Sequence, residues 1–149
     1  MQAIVLCGLQ ASGKSTLYKT RWADTHVRLN RDMLKTAHRE AILLHACLAA
    51  QQPFVADNTN PTRKTRTRYL HLAKAAGFEV VCYHCVVPVD EALARNAQRN
   101  GAARVPDAAV RGTARKLEAP TLDEGWDALY VVTAAPDGTL AVTLVSDAP

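Results

Sequence analysis

No part of the chain is apolar for long enough to cross a bilayer. Its longest wholly apolar stretches are a few residues, whereas a spanning helix needs about 20. Met1–Cys7 has no basic leader and no cleavage site before it runs into a glycine loop, so no signal peptide is expected. Cysteine is sparse at four residues. Without secretion, these point to reduced thiols and a cytoplasmic protein rather than a disulfide framework. Internal repeats, low-complexity tracts and linkers are also absent, which leaves 149 residues, 48% of them hydrophobic, as one expected domain over 1–149 with a sizeable core. Positive charge is missing from one end. Residues 117–149 hold six acids and no Lys or Arg, while residues 1–116 hold all 18 Lys and Arg against eight acids. A basic body of net +10 favours polyanionic partners, or else is a solvated surface.

Apolar runs alternate with helical periodicity. Gln2–Cys7 reads as a buried strand, Lys14–Ala23 as a helix and His26–Leu29 as a strand. Arg31–Ala50 reads as one helix capped by Asn30, with Met33, Ala37, Ala41, Leu44 and Leu48 on one face. Pro53–Ala56 is a third strand. Pro61 opens a helix capped by Asn60 and ended by Gly77. Glu79–Val87 is a strand, Asp90–Asn100 and Pro106–Leu117 are helices, and Leu129–Thr133 and Leu140–Val145 are late strands. This alternation predicts an α/β fold with a mainly parallel central sheet flanked by helices. Fraying is expected at Ser146–Pro149.

Gly8-Leu9-Gln10-Ala11-Ser12-Gly13-Lys14-Ser15 matches G-x-x-x-x-G-K-[ST] between a strand and a helix, the setting in which the motif carries meaning. Gly8 and Gly13 let the loop wrap so that backbone N–H groups, with Ser12 among them, face phosphate oxygens. The helix N-terminus adds positive potential. Lys14 reaches the β- and γ-phosphates, Ser15 ligates Mg²⁺, and Thr16 is placed to touch the α-phosphate. The loop identifies a nucleotide but not the acceptor.

Two acids follow strands. Asp32, in Asn30-Arg31-Asp32, stands where groups past strand ends line the ligand crevice. It is either a base for an acceptor hydroxyl or a first-turn acid favouring the helix dipole. Asp57 ends the third strand, as a carboxylate holding Mg²⁺ or its waters would; the alternative is an Asx-turn with Asn58, Thr59 or Asn60. Arg63, Lys64, Arg66 and Arg68 form a run that either grips a phosphate backbone or is a solvated helix face. Cys82-Tyr83-His84-Cys85 has metal-like spacing but no second ligand pair, so buried thiols are favoured.

Taken together, Gly8–Thr16, Leu29-Asn30-Arg31-Asp32, Val55-Ala56-Asp57-Asn58-Thr59-Asn60-Pro61 and the stretch from Leu117 to Trp126 resemble the polynucleotide 5′-hydroxyl kinase family. The resemblance runs over roughly residues 2–133 and implies a P-loop NTPase/kinase fold with a helical lid at about 90–117. It implies ATP as donor, Asp32 as base on the 5′-OH of DNA or RNA, and Asp57 contacting Mg²⁺ through water. It also places Arg95 and Arg99 on the lid, four apart on one helix face, to clamp nucleotide phosphates and stabilise transition-state charge. Lys35 stands where a phage member has an arginine that holds the acceptor's 3′-phosphate, and Arg63 joins it on the acceptor side. The family's phosphatase motif is missing from this sequence, so any 3′-end processing is expected in another protein, with a separate phosphatase or ligase as a partner. Two other readings stand beside it: a P-loop kinase of a small hydroxyl compound such as a nucleoside, sugar or antibiotic, and a nucleotide-binding regulatory module.

Overall fold

The alternating apolar runs assemble into one six-stranded sheet, here in a computed structural model that describes residues 1–147. The strands are β1 (Gln2–Cys7), β2 (Val27–Leu29), β3 (Phe54–Ala56), β4 (Glu79–Cys85), β5 (Ala128–Ala134) and β6 (Leu140–Leu144). Their order across the sheet is β2-β3-β1-β4-β5-β6. The first five run parallel, and β6 turns back antiparallel on β5. β1 is central, with Ala3 opposite Phe54 on one side and Val80 on the other. The fraying expected at the C-terminus falls in part on Ala148 and Pro149, outside the described residues.

Both faces of β1 are apolar because both are covered. Ala3, Val5 and Cys7 pack with Phe54, Leu44, Leu70 and Trp126 beneath α3 (Ala37–Ala50) and α4 (Arg63–Ala75). Ile4 and Leu6 pack with Leu17, Trp22 and Val132 beneath α1 (Lys14–Arg21). A third cluster of Leu9, Ala92 and Val110 joins the phosphate loop to α5 (Val89–Ala97) and α6 (Asp107–Lys116). The expected mainly parallel sheet flanked by helices is thus observed.

Three local expectations are corrected. The helix read over Arg31–Ala50 is two: α2 (Arg31–Leu34) and α3. Asn30 caps the first by accepting from Met33 N, and Thr36 caps the second by accepting from Arg39 N, with Lys35 between them at φ +75°. Met33 therefore leaves the apolar stripe and stands 52% exposed. Asn60 does not cap α4, because its amide donates to Leu6 O at 2.8 Å; Thr62 caps it instead, in a reciprocal pair with Thr65. The helix read over Asp90–Asn100 ends at Ala97. The buried Asn96 side chain brackets both backbone groups of Val105, which turns the chain before Arg99.

Candidate active site at the carboxyl ends of the strands

The phosphate loop follows β1, and its shape depends on two glycines. A Cβ at Gly8 would lie 2.5 Å from Cys85 O, so the loop can leave the sheet only where no side chain exists. Gly13 sits at φ +100° at the start of α1. No side chain caps α1, and no acid occupies its first turn, so its leading N–H groups are available to an anion. Lys14 is buried and curls back over the loop, donating to Gly8 O at 2.9 Å, Leu9 O at 2.6 Å and Ser12 Oγ at 3.3 Å. Burial pushes its pKa down; the acidic groups nearby, Asp57 among them, partly offset this, and Arg99 adds to it.

A cavity of about 620 Å³ opens beside the loop. Ser12, Lys14 and Ser15 of the loop and first turn of α1, Asp32 of α2, Asp57 after β3 and Arg99 beyond α5 all line it. Asp32 is exposed in the first turn of α2, so its position satisfies the dipole reading and the crevice reading at once. Asp57 is buried, its side chain 2% exposed, and accepts from Ser15 Oγ at 3.4 Å. Two hard oxygens side by side fit Mg²⁺, which takes one or two protein ligands and completes its shell with phosphate and water. No cluster of three or more His, Cys, Asp or Glu suited to a metal exists among the described residues. The alternative Asx-turn for Asp57 is not what its side chain makes, since its partners are Ser15 and Arg28.

Other site candidates are separated. Arg95 and Arg99 do not share a helix face. Arg99 lies beyond α5 and donates to Ala103 O at 3.2 Å at the main cavity. Arg95 pairs with Glu91 and, with Gly13 and Thr16, lines a second cavity of about 400 Å³ reaching Pro136 and Leu140. Lys35 stands exposed outside both linings. Arg63 pairs with Asp123 at 3.1 Å and is likewise off the cavity.

The basic run on α4 divides by helix face. Lys64 and Arg68 line the main cavity. Arg66 is neither a phosphate grip nor a solvated residue. Its side chain is 1% exposed and forks onto Glu124 at 2.9 and 3.2 Å, while Nη1 donates to Asn60 O at 3.0 Å. This joins the Asp57–Pro61 stretch to the Leu117–Trp126 stretch, which also meet where Glu118 N donates to Pro61 O at 2.7 Å. The four buried thiols are free, and burial lifts Cys7 to about 11 and Cys85 to about 12.

Sequence reasoning missed a network behind Asp32. Glu40, fully buried, accepts from Tyr69 Oη and from Asn58 Nδ2 at 3.1 Å and pairs with Arg31 at 3.5 Å. Asn58 Oδ1 in turn accepts from Arg31 N at 2.8 Å, which fixes the turn that carries Asp32. It also missed Arg28. The available signal was a charged residue between two apolar ones on a three-residue strand, which calls for a partner.

The family described as AAA domain matches residues 25–120, more than half of the chain. A bifunctional polynucleotide phosphatase/kinase of Schizosaccharomyces pombe is 28% identical over 129 residues, 84% of this chain and 32% of that protein, so the chain spans about a third of its length. Among solved structures, Chaetomium thermophilum Kti12 in complex with ADP-AlF3 superimposes with a TM-score of 0.67 at 19% identity over 88% of each chain. AvrRxo1-ORF1:-ORF2 with ATP does so with a TM-score of 0.73 at 16% identity, over 98% of this chain and 60% of the other. These likenesses show a P-loop kinase-like fold. No helix among the described residues is long and apolar enough to cross a membrane.

Proposed function

From a chain that belongs to the AAA domain family and carries a P-loop kinase-like fold, we propose an ATP-dependent phosphotransferase acting on the 5′-hydroxyl end of a polynucleotide. The observation that carries this reading is a set of cations lining the main cavity beside the phosphate loop. Lys64, Arg68 and Arg99 line that cavity without any carboxylate partner among the described residues. Unpaired cations around an acceptor base suit an acceptor that carries phosphates of its own. The resemblance to polynucleotide 5′-kinases and the 28% identity to a polynucleotide phosphatase/kinase support the same acceptor.

In this reading the loop N–H groups and Lys14 hold the β- and γ-phosphates, and the second cavity, between Gly13, Thr16 and Pro136, takes the nucleoside part of ATP. Asp32 orients the acceptor hydroxyl and takes its proton as the oxygen attacks the γ-phosphorus; the bond to the β-bridging oxygen breaks, and ADP leaves. Arg99 faces the transferring group and balances its charge. Mg²⁺ at Ser15 and Asp57 would neutralise phosphate charge. A small hydroxyl acceptor is the second reading, because a cavity of about 620 Å³ is also the size of a small-molecule pocket.

Transfer of label from γ-labelled ATP tests both. Oligonucleotides with a 5′-OH are expected to be labelled and those with a 5′-phosphate are not. Binding of the strand should weaken with salt at a log–log slope of about −0.7 per neutralised phosphate. Turnover of nucleosides or sugars with no labelling of oligonucleotides refutes the polymer acceptor and favours the second reading.

A further inference from the structure

β2 presents Arg28 to the metal side of the phosphate loop. Its Nε donates to Asp57 Oδ2 at 2.7 Å, and its Nη2 donates to Ser15 Oγ at 2.9 Å. The guanidinium also stands 5.6 Å from the centroid of the Tyr18 ring, and Tyr18 is fixed by donating its hydroxyl to His26 O at 2.7 Å. Residues from α1, β2 and the end of β3 thus hold one planar fork. Its side chain is 24% exposed, while that of the carboxylate it grips is 2% exposed.

Ser15 and Asp57 are the oxygens assigned above to Mg²⁺, and the argument rests on that assignment. A serine hydroxyl offers two acceptor positions, and one is taken by Nη2. A divalent ion on the other would lie within a few ångström of the positive charge of the guanidinium. Mg²⁺ also demands near-octahedral geometry at short distances, which an anchored guanidinium obstructs. We propose that Arg28 is a resident cation on the Ser15–Asp57 pair that competes with the divalent metal. Mg²⁺ engages Ser15 by displacing the guanidinium, so Arg28 sets the metal requirement of the site.

Losing the charge at Arg28 then has two effects of opposite sign. Neutralising Arg28 removes the competitor and tightens metal binding. The same change strips Asp57 of its counter-charge, so nucleotide phosphates meet a bare carboxylate when metal is withheld. A merely structural role for Arg28 would weaken both.

The experiment uses the full chain with Mn²⁺ as a spin probe, which takes the same oxygen ligands as Mg²⁺. Mn²⁺ affinity is read by electron paramagnetic resonance with saturating ADP, and ADP affinity by calorimetry in EDTA. Arg28→Met is expected to bind Mn²⁺ at least about tenfold tighter, and ADP in EDTA at least about threefold weaker, than wild type. Arg28→Lys, which keeps the charge but not the fork, should fall between wild type and the neutral variants in both. Arg28→Gln supplies a second neutral variant, and melting temperatures identify any that fail to fold. Unchanged or weaker Mn²⁺ binding in the neutral variants overturns the proposal. Ser15→Ala separates the two layers. If it abolishes Mn²⁺ binding to the ADP complex while the neutral Arg28 variants match wild type, competition is wrong and the metal assignment stands. If Mn²⁺ binding is indifferent to Ser15→Ala, the assignment falls and competition falls with it.

Discussion

Arg66→Met should be among the most damaging single substitutions outside the reaction centre. The guanidinium and its Glu124 partner are 1% and 3% exposed. Burial works against the charge on Arg66, but the hydrogen bond to Glu124, together with the charge interactions with Cys7, Glu124 and Cys82, outweighs it, so its pKa is raised. Methionine replaces the aliphatic stem but leaves Glu124 with Thr121 N as its remaining protein donor, at 2.7 Å. Stranding one partner of a buried pair costs about 3–5 kcal/mol, a large part of the roughly 5–15 kcal/mol that holds a domain folded. Urea unfolding followed by circular dichroism measures the loss directly, and for a chain of this size a fall in Tm of about 6–20 °C should accompany it. Removing both charges should cost less than removing Arg66 alone. In Arg66→Met with Glu124→Leu no buried charge is stranded, and the residual loss of about 1–3 kcal/mol comes from the Asn60 carbonyl, which loses its donor. Because Asn60 also reaches Leu6 O, the single variant should loosen the segment that presents Asp57. A loss below about 1 kcal/mol, or a double variant whose cost equals the sum of the singles, would refute the account of a buried, coupled pair.

Two further outcomes are expected. Asp32→Asn keeps the shape of the side chain but cannot take a proton, so the single-turnover rate should fall about 10²–10⁴-fold while ATP affinity persists, since Lys14 and Ser15 are untouched. A variant that stays active and loses at most about 1 kcal/mol of stability would leave Asp32 as a helix-dipole acid only. The buried thiols make stability fall at alkaline pH. Cys7 and Cys85 are raised from 9.0 to about 11 and about 12. The unfolded chain therefore sheds their protons from about pH 9 while the folded chain retains them, so their stabilisation is complete below pH 9 and is lost as pH climbs towards 11–12. Unfolding free energy should drop by about 1.4 kcal/mol per pH unit per thiol in that window. Cys7→Ala with Cys85→Ala should flatten the slope, and an unchanged slope would refute the assignment.

What the sequence determined by itself is what short-range patterning controls. The apolar run Gln2–Cys7, the glycine spacing and Lys14-Ser15 specify strand, loop and helix start within 15 residues, because each depends on neighbours along the chain. The same holds for strand alternation, from which the mainly parallel sheet follows. Asp32 and Asp57 were legible because residues just past parallel strands have one place to go. The tertiary structure decided whatever depends on partners remote in sequence. Arg63, Lys64, Arg66 and Arg68 look alike in the chain, yet one pairs at the surface, one is buried on Glu124, and two line the cavity. Arg95 and Arg99 share a helical spacing, but Asn96 binds Val105 and ends the helix between them. The split of α2 from α3 follows from a competing cap at Thr36, a local signal masked by the apolar stripe around it. Arg28 gained its meaning only when parallel pairing of β2 with β3 set it beside Asp57, 29 residues away. Charge and hydrogen-bonding capacity are written in the sequence, but whether a charged group meets water, a carboxylate or a cavity is settled by the long-range packing that brings its neighbours to it.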